Sequence, residues 1–295
     1  MDASSPMARR LRWAALGIAL ALAAWFGLGA WTAFVATRPS PRPVPARQRI
    51  DGRTAVALEA HAADEVRSVA WFVDARSDRC AILLSGIHGD RRASLPRAGF
   101  WLARGWSVLL PDLRGTGESD PRPISFGWNE RLDVAAWVKL LRERGVRTIA
   151  IHGQSLGAAA AVYAVDGGSA VELLVLDACY DDVNSALEHR LSFVPWPAFS
   201  LFPVRLFAEL RIGASPSQLR PVECLKRIHT PTFLAVGADD AAVGGSAASA
   251  MLEACAAAHK HLHRVEAARH EELWVRDPTD LARALGEFID ATGIE

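Results

Sequence analysis

The chain has 295 residues, of which 51% are hydrophobic and 22% are charged, a composition that can bury one substantial core. Its 33 Lys and Arg residues balance its 33 Asp and Glu residues, so the formal net charge is +0 at pH 7. A chain of this balance lacks the excess positive charge that binds a phosphate backbone, which excludes nucleic acid as an expected partner.

The N-terminal region differs from the rest of the chain. Residues 13–36 contain no charged residue and are rich in Ala, Leu, Trp and Phe. As a helix they would span about 36 Å at about 1.5 Å per residue, enough to cross a bilayer core of about 30 Å. Apolar residues occupy every face, which disfavours a buried helix of a soluble protein. We therefore predict a transmembrane signal-anchor helix at residues 13–36, preceded by a basic cytoplasmic segment at residues 1–12.

The basic residues around this helix bear on its orientation. Arg9, Arg10 and Arg12 precede it, which is typical of a cytoplasmic N-terminus with the following domain in the periplasm. Five further arginines follow it: Arg38, Arg42, Arg47, Arg49 and Arg53. The count of basic residues therefore leaves the orientation open. The apolar stretch is long and no A-x-A motif follows it, so we expect a single-pass anchor in a bacterial inner membrane in preference to a cleaved signal peptide.

Residues 37–52 are rich in proline and arginine. Four prolines fall within seven residues of this segment, a pattern that predicts an extended, polyproline-like spacer. We expect the spacer to hold a folded domain, residues 53–295, away from the lipid.

The four cysteines are Cys80, Cys179, Cys224 and Cys255. They are widely separated and form no C-x-x-C or Cys/His cluster, so we expect buried apolar side chains and no metal site. The sequence leaves open whether any of them form a disulfide.

Short apolar runs and helix-length segments alternate through most of residues 53–295. We predict strands at residues 66–73, 80–85, 106–110, 148–152, 172–176, 231–236 and 261–265, and helices at residues 93–104, 129–144, 155–165, 246–259 and 278–291. Continuous apolar strands alternating with helices indicate a mostly parallel central sheet covered by helices on both faces. Residues 180–219 interrupt the alternation and are rich in aromatic residues and proline, which predicts a small inserted lid.

A G-x-S-x-G motif occupies residues 153–157, between a predicted strand and a predicted helix. A serine held in a sharp strand-to-helix turn has a strained backbone, and flanking glycines allow neighbouring chain to approach closely. The N-terminus of the helix favours the oxyanion that forms when a hydroxyl attacks an acyl carbon. The motif therefore predicts a nucleophile elbow with Ser155 as the nucleophile.

Two further motifs accompany the elbow: L-L-S-G-I-H-G at residues 83–89 and L-P-D-L-R-G-T-G-E-S at residues 110–119. With these three motifs, the chain from about residue 53 to the C-terminus resembles the α/β-hydrolase family, and within it bacterial esterases, lipases and serine-peptidase-like members. The resemblance implies the α/β-hydrolase fold. The chain departs from the family pattern at Ser85, where many members have His, and at Ala158, where a third glycine is frequent.

The resemblance implies a triad in the order Ser, Asp, His. His270 lies in a polar loop between the last predicted strand and the final helix, where the family places its base. Asp240 lies at the family's G-x-x-D spacing from Gly237, so we predict it as the acid. Asp239 and Asp177 remain alternative acids.

The resemblance also implies an oxyanion hole made of backbone N–H groups. We predict the N–H groups of Leu156 and Ile87 as the donors, because these residues follow the nucleophile and the glycine of the oxyanion loop. If the family's loop glycine corresponds to Gly89 instead of Gly86, the second donor is the N–H of Asp90.

The remaining motif residues are expected to be structural. Asp112 and Arg114 tie loops together beside the site. Glu130 and Asp133, one helical turn apart, are expected on a solvated helix face, with membership of the same network as the alternative.

These residues predict a serine hydrolase that cleaves an ester, thioester or amide through an acyl-Ser155 intermediate, with no metal or organic cofactor. The apolar lid favours a small-molecule acyl substrate, including one derived from a lipid. An acyltransferase or serine peptidase of the same fold is an alternative, and a catalytically silent, membrane-anchored binding domain is another. The sequence gives no oligomeric state.

Overall fold

Strands and helices alternate through the structure, a computed structural model that describes residues 6–45, 48–191, 198–243, 245–270 and 273–294. The strands are β1 (Ser40–Pro41), β2 (Gln48–Ile50), β3 (Arg53–His61), β4 (Arg67–Val73), β5 (Arg79–Leu84), β6 (Ser107–Pro111), β7 (Thr116–Gly117), β8 (Thr148–Gln154), β9 (Leu173–Asp177), β10 (Thr232–Gly237) and β11 (Lys260–Val265). The helices are α1 (Pro6–Thr37), α2 (Leu95–Ala103), α3 (Glu130–Glu143), α4 (Leu156–Asp166), α5 (Val183–Leu191), α6 (Phe202–Ile212), α7 (Pro221–Leu225), α8 (Gly245–Ala254), α9 (Leu273–Arg276) and α10 (Pro278–Thr292).

Nine of the described strands form one sheet in the order β11-β10-β9-β8-β5-β6-β4-β3-β2. The neighbours from β6 to β11 are parallel, and β4 is antiparallel to both β3 and β6. Parallel neighbours need crossover connections, which the intervening helices provide. The mostly parallel sheet predicted from the alternating pattern is therefore confirmed.

Helices cover both faces of the sheet because successive strand residues point to opposite sides. In β5, Ile82 and Leu84 join one buried cluster together with residues of α3, α4 and α8. Ala81 and Leu83 join the other cluster, together with residues of α2 and α10. The carboxyl ends of the parallel strands consequently meet at one edge, where loops can combine side chains into a site.

Each predicted strand and helix of residues 53–295 overlaps an observed one. Helix α8 ends at Ala254, before the predicted limit of residue 259. Strand β3, nine residues long, was not predicted, because most of it is exposed and its two buried residues, Ala55 and Ala60, are small and lie on opposite faces of the sheet. Alanine is depleted in strands, so this segment lacks the apolar run that marks the central strands.

The described residues of the expected spacer, 37–45 and 48–52, lie along the domain, so this part of the chain is not a free spacer. The N–H of Ser40 donates to the carbonyl of Gly115 at 2.7 Å, and the N–H of Arg42 donates to that of Gly117 at 2.8 Å. Val44 is buried, and strand β2 pairs with β3. The residues between the prolines keep their N–H donors, which is why a proline-rich segment can still pair with the domain.

The second half of α1 packs against the predicted lid. The Trp25 Nε1–H donates to the carbonyl of Ser200 at 3.0 Å, and Phe26 makes edge-to-face ring contacts with Phe202 and Phe207. Part of the predicted lid, residues 192–197, lies outside the described residues. It includes four of the aromatic and proline residues on which the lid prediction depends: Phe193, Pro195, Trp196 and Pro197. Helix α1 is long and apolar enough to cross a membrane.

A buried ion pair holds α3 to the loop after β6. The Arg114 Nη2 lies 2.7 Å from Asp133 Oδ1, and the Arg114 N–H donates to Asp133 Oδ2 at 2.7 Å. Glu130 accepts hydrogen bonds from the backbone N–H groups of Ser125 and Gly127. Glu130 is 1% exposed and Asp133 0%. The solvated helix face expected for these two acids is therefore wrong, because both satisfy loop donors inside the fold.

We predict that Arg114→Met lowers the free energy of unfolding by about 3–5 kcal/mol, because it leaves the Asp133 carboxylate buried without its partner. The matched control is Arg283→Met, which removes the exposed ion pairs with Asp280 and Glu287 and should leave the free energy of unfolding nearly unchanged. Urea unfolding of the detergent-solubilised full chain measures both. Equal losses in the two variants would contradict the structural role of Arg114.

Candidate active site

Ser155 occupies the sharp turn between β8 and α4. Its φ is +51° and its ψ is −114°, a conformation that costs energy for a residue with a side chain. The Ser155 N–H donates to the carbonyl of Asp177 on the neighbouring strand at 2.8 Å. A Cβ at Gly157 would lie 2.6 Å from the carbonyl oxygen of Ser85, and one at Gly153 would lie 2.5 Å from the Gly157 backbone. The turn therefore depends on glycine at both flanking positions.

Three of the predicted site residues form one hydrogen-bonded chain. The Nε2 of His270 lies 2.9 Å from Ser155 Oγ, and the Nδ1 of His270 lies 2.9 Å from Asp240 Oδ2. Ser155 comes from the elbow, Asp240 from the loop after β10, and His270 from the loop after β11. These are three loops at the carboxyl edge of the sheet, so the strand order brings together residues that are far apart in sequence.

Asp240 is positioned as an ionised acceptor. Its second oxygen, Oδ1, accepts hydrogen bonds from the N–H groups of Ala242 at 2.9 Å and Val243 at 3.0 Å. Burial acts to raise the pKa of Asp240, but the hydrogen bond and charge of His270 and the two backbone donors together hold it below its ordinary value. In the tautomer that donates from Nδ1 to Asp240, the Nε2 of His270 presents a lone pair to the hydroxyl of Ser155.

The two alternative acids lie elsewhere. The side chain of Asp239 is exposed, and its N–H donates to the carbonyl of Ala268 at 3.0 Å. Asp177 Oδ2 lies 2.7 Å from His152 Nε2 and accepts from the Trp274 Nε1–H at 2.8 Å. Among the three aspartates, the geometry therefore joins only Asp240 to His270.

The His152–Asp177 pair forms a buried network beneath the elbow. The Trp101 Nε1–H donates to His152 Nδ1 at 3.1 Å, which places the ring proton on Nε2, facing Asp177. Burial lowers the pKa of His152, although Asp177 opposes this, and the lowered pKa agrees with a ring whose Nδ1 accepts a hydrogen bond. This network was not predicted. The sequence signal that could have indicated it is a lone histidine at the end of an otherwise apolar strand.

The loop after β5 passes directly beside Ser155. A Cβ at Gly86 would lie 3.6 Å from the Cβ of Ser155, and the Gly89 N–H donates to the carbonyl of Gly86 at 3.0 Å, which closes a tight turn. Ile87 and Leu156 both border the cavity that contains Ser155. Leu156 is the first residue of α4, so its N–H has no partner within the helix.

Asp90, the residue whose N–H is the alternative oxyanion donor, uses its carboxylate to stabilise the turn that follows it. Its carboxylate caps the short 3₁₀ turn Arg91–Ser94 by accepting from the Arg92 N–H, and it pairs with the Arg92 guanidinium at 2.7 Å. Ser85, at the position where many family members have His, donates its hydroxyl to the carbonyl of Gly89 at 2.8 Å. The Ser85 hydroxyl thus supports the same turn.

Asp112 connects the loop after β6 to the loop after β5. Its Oδ1 accepts from the Arg91 N–H at 2.7 Å, and its Oδ2 accepts from the Glu118 N–H at 2.9 Å. The Arg91 guanidinium lies 3.1 Å from the same carboxylate and also pairs with Glu118. Burial raises the pKa of Asp112, and Arg91 opposes that rise. The expectation that Asp112 ties loops together beside the site agrees with these contacts.

An apolar cavity of about 140 Å³ opens at Ser155 and His270. Its lining residues come from the oxyanion loop, α1, the lid and the loops around them: Ala33, Ala36, Ile87, Phe126, Leu156, Tyr180, Val183, Asn184, Ala186, Leu187, Val204, Arg205, Ala208, Glu209, Ile212, Ala214, Pro216, Leu219, Ala242 and Val243. Most of this surface is hydrocarbon, which suits an aliphatic or aromatic acyl group.

The four cysteines lie in the interior of the structure. All four cysteines are buried and unpaired. Within the described residues, no group of three or more His, Cys, Asp or Glu side chains is arranged to hold a metal ion. The cysteines therefore behave as small core residues, as expected.

Known proteins resemble this chain at the level of sequence and of fold. No protein-family model matches the chain. The uncharacterized protein YqkD of Bacillus subtilis is 27% identical over 225 residues, covering 71% of this chain and 70% of that protein. The uncharacterized protein Rv2307c of Mycobacterium tuberculosis is 28% identical over 266 residues, covering 87% of this chain and 86% of that protein.

Among solved structures, the esterase Pf2001 of Pyrococcus furiosus matches with a TM-score of 0.72 at 23% identity, covering 86% of this chain and 98% of that chain. An acetyl xylan esterase from Paenibacillus sp. R4 matches with a TM-score of 0.65 at 17% identity, covering 90% of this chain and 92% of that chain. An α/β hydrolase, GrgF from Penicillium sp. sh18, matches with a TM-score of 0.62 at 17% identity, covering 81% and 99%. This protein has the α/β-hydrolase fold, as the resemblance of its three motifs implied.

We predict that Gly157→Ala lowers the free energy of unfolding by about 1–3 kcal/mol, because the added methyl group meets backbone atoms of the neighbouring strand that cannot move aside cheaply. Gly99 in α2 is the matched control, since a Cβ there meets nothing within 4 Å. Gly99→Ala should stabilise by about 0.5–1 kcal/mol. Urea unfolding measures both variants, and a stable Gly157→Ala protein would contradict the close packing of the elbow.

Proposed function

We propose that this protein is a serine hydrolase that cleaves a carboxylic ester. The observation that carries the proposal is the continuous hydrogen-bonded chain from Asp240 through His270 to Ser155, at a strained turn that opens into an apolar cavity. The esterases among the similar solved structures support an ester as the substrate. Thioesters and amides also have an electrophilic acyl carbon, so the same mechanism can cleave them.

In the proposed acylation, His270 Nε2 removes the proton of the Ser155 hydroxyl as Oγ attacks the acyl carbon. The carbonyl oxygen becomes an oxyanion and accepts hydrogen bonds from the N–H groups of Leu156 and Ile87. Asp240 stabilises the imidazolium that His270 becomes. The tetrahedral intermediate then expels the alcohol, which takes its proton from His270, and an acyl-Ser155 ester remains.

Deacylation repeats these steps with water as the nucleophile. His270 removes a proton from water while the water oxygen attacks the acyl carbon, and the same two N–H groups stabilise the second oxyanion. When the intermediate collapses, Ser155 Oγ leaves and recovers a proton from His270. The products are a carboxylic acid and the free enzyme, so the cycle consumes only water.

We further propose that α1 anchors the enzyme by a single pass in the membrane, a role that its length and hydropathy support. The proposed location of the catalytic domain is the periplasmic side. Arg9, Arg10 and Arg12 ahead of the helix are typical of that orientation, but the five arginines that follow the helix mean that the count of basic residues does not decide it.

We predict that a fluorophosphonate probe labels the full chain in detergent and that Ser155→Ala abolishes the labelling. His270→Ala should slow it by about 10³-fold or more, because the hydroxyl loses its base. The matched controls are Ser217→Ala and His229→Ala, which change exposed residues outside the cavity and should label like the unchanged chain. A folded, unchanged chain that does not label would favour a catalytically silent binding domain.

The two buried aspartates allow a direct comparison of the candidate acids. We predict that Asp240→Asn lowers kcat for hydrolysis of p-nitrophenyl butyrate by about 10³ to 10⁴-fold, because an amide cannot hold His270 in the required tautomer. Asp177→Asn should retain activity within about tenfold, since its partner is His152 and its effect on the site is indirect. A larger loss for Asp177→Asn than for Asp240→Asn would reassign the acid.

A further inference from the structure

The lid helix α6 runs parallel to the last turns of α1. At one end, Trp25 of α1 contacts Phe199 with ring centroids 6.4 Å apart. At the other end, the Arg211 Nε–H donates to Thr37 Oγ1 at 2.8 Å. Between them, Gly29 lies so close to Pro203 that a Cβ at Gly29 would overlap the proline. The two helices are thus in direct contact along the whole length of α6.

The polarity of the lid changes along this direction. Residues 198–204 contain no charged side chain, whereas residues 205–211 contain Arg205, Glu209 and Arg211. Two large apolar side chains at the uncharged end are exposed, Phe199 at 70% and Phe202 at 53%. The apolar end of the lid therefore lies beside the middle of α1, and the charged end lies beside the last residue of α1, next to the domain.

Exposed apolar side chains continue from the lid onto α1. Large apolar side chains are exposed along the length of α1, among them Leu11, Ile18, Leu28 and Trp31. A continuous apolar surface of this extent marks an interaction site. Because the surface is shared with a helix that has the length and composition of a membrane span, its occupant is the hydrocarbon of a bilayer.

The length of the part of α1 that packs on the lid is consistent with a position inside a bilayer. Trp25 precedes Thr37 by a rise of about 18 Å at about 1.5 Å per residue, close to half of a bilayer core of about 30 Å. With Thr37 and Arg211 at the interface, Phe199 and Phe202 lie within the leaflet that faces the domain. The charged residues of α6 then lie toward the headgroups, where long basic side chains reach water.

The same two helices also form a wall of the cavity at Ser155. Ala33 and Ala36 of α1 and Val204 and Ala208 of α6 line the cavity together with the nucleophile. The membrane-facing helix pair and the acyl cavity are therefore two sides of one wall. The lining of the acyl cavity is therefore continuous with the membrane-facing surface of α1 and α6.

We propose that the substrate is a fatty acyl ester carried in the bilayer, and that it enters the cavity from the leaflet along α1 and α6, with Phe199 and Phe202 embedded in the hydrocarbon. The inference rests on the proposed function of Ser155, and it adds the substrate class and the route of entry. The reaction consumes water and releases a fatty acid and an alcohol from the ester.

The first test measures the depth of the lid. A nitroxide spin label at Phe199→Cys, in the full chain reconstituted in phosphatidylcholine liposomes, should be relaxed more by oxygen than by a water-soluble nickel chelate. The control label at Val56→Cys, on the exposed face of β3, should show the reverse order. Equal responses at the two positions would overturn the inference. So would spin–spin broadening at residue 199 that disappears on dilution with unlabelled protein, because a second copy would then cover the patch.

The second test measures acyl-chain preference in the same liposomes. The unchanged chain should hydrolyse p-nitrophenyl palmitate in the bilayer with a higher kcat/KM than p-nitrophenyl butyrate in water. Ala36→Leu narrows the cavity and should lower the palmitate-to-butyrate ratio by about tenfold or more, the effect of displacing two or more methylenes. Ala24→Leu, on an exposed part of α1 outside the cavity, is the matched control and should leave the ratio unchanged.

The outcomes separate the inference from the proposed function. Hydrolysis of butyrate with no hydrolysis of palmitate, or the same ratio in both leucine variants, would overturn the lipid substrate while leaving the serine hydrolase in place. Failure to hydrolyse either ester, together with no fluorophosphonate labelling, would overturn the proposed function itself.

Discussion

The strained backbone of Ser155 is the constraint around which the other parts of the site are arranged. A residue at φ +51° persists only where its surroundings fix it, and here a hydrogen bond to the carbonyl of Asp177 and glycines on both sides do so. That turn points Ser155 Oγ toward His270 and leads directly into α4. One local backbone geometry therefore determines both the direction of the serine hydroxyl and the position of the helix N-terminus beside it. Beneath it, the His152–Asp177 pair and its tryptophan donors fill the space with a buried hydrogen-bonded network, which leaves the elbow little freedom to relax.

The parts of this arrangement that could be predicted are those that a short stretch of sequence determines. The flanking glycines of Ser155, the apolar runs of the central strands and the spacing from Gly237 to Asp240 each carry their own signal. The partners of His152 could not be predicted, because Asp177, Trp101 and Trp274 come from three other elements. Strand β3 was not predicted because most of its side chains are exposed and its two buried residues are alanines, so it contains no apolar run.

The two expectations that failed share one physical cause. Glu130 and Asp133 have the spacing of a solvated helix face, but loop N–H groups and a guanidinium from outside the helix make them internal. The proline-rich segment has the composition of a free spacer, but the carbonyls of Gly115 and Gly117 accept its remaining N–H groups. In both cases the local sequence predicts how the segment would behave if only water surrounded it. Its actual position depends on a partner, distant in sequence, that satisfies its polar groups.

The attachment of residues 40–45 to the domain also changes what the N-terminal helix can do. A free spacer would let the domain move relative to the membrane, and α1 would then act only as an anchor. With the spacer paired to the loop after β6 and α1 packed on α6, the helix has a fixed position relative to Ser155, and two of its alanines line the cavity. In the proposed membrane arrangement, the depth of α1 in the bilayer therefore sets the depth of the cavity. Anchoring and access for a lipid substrate become consequences of the same contact.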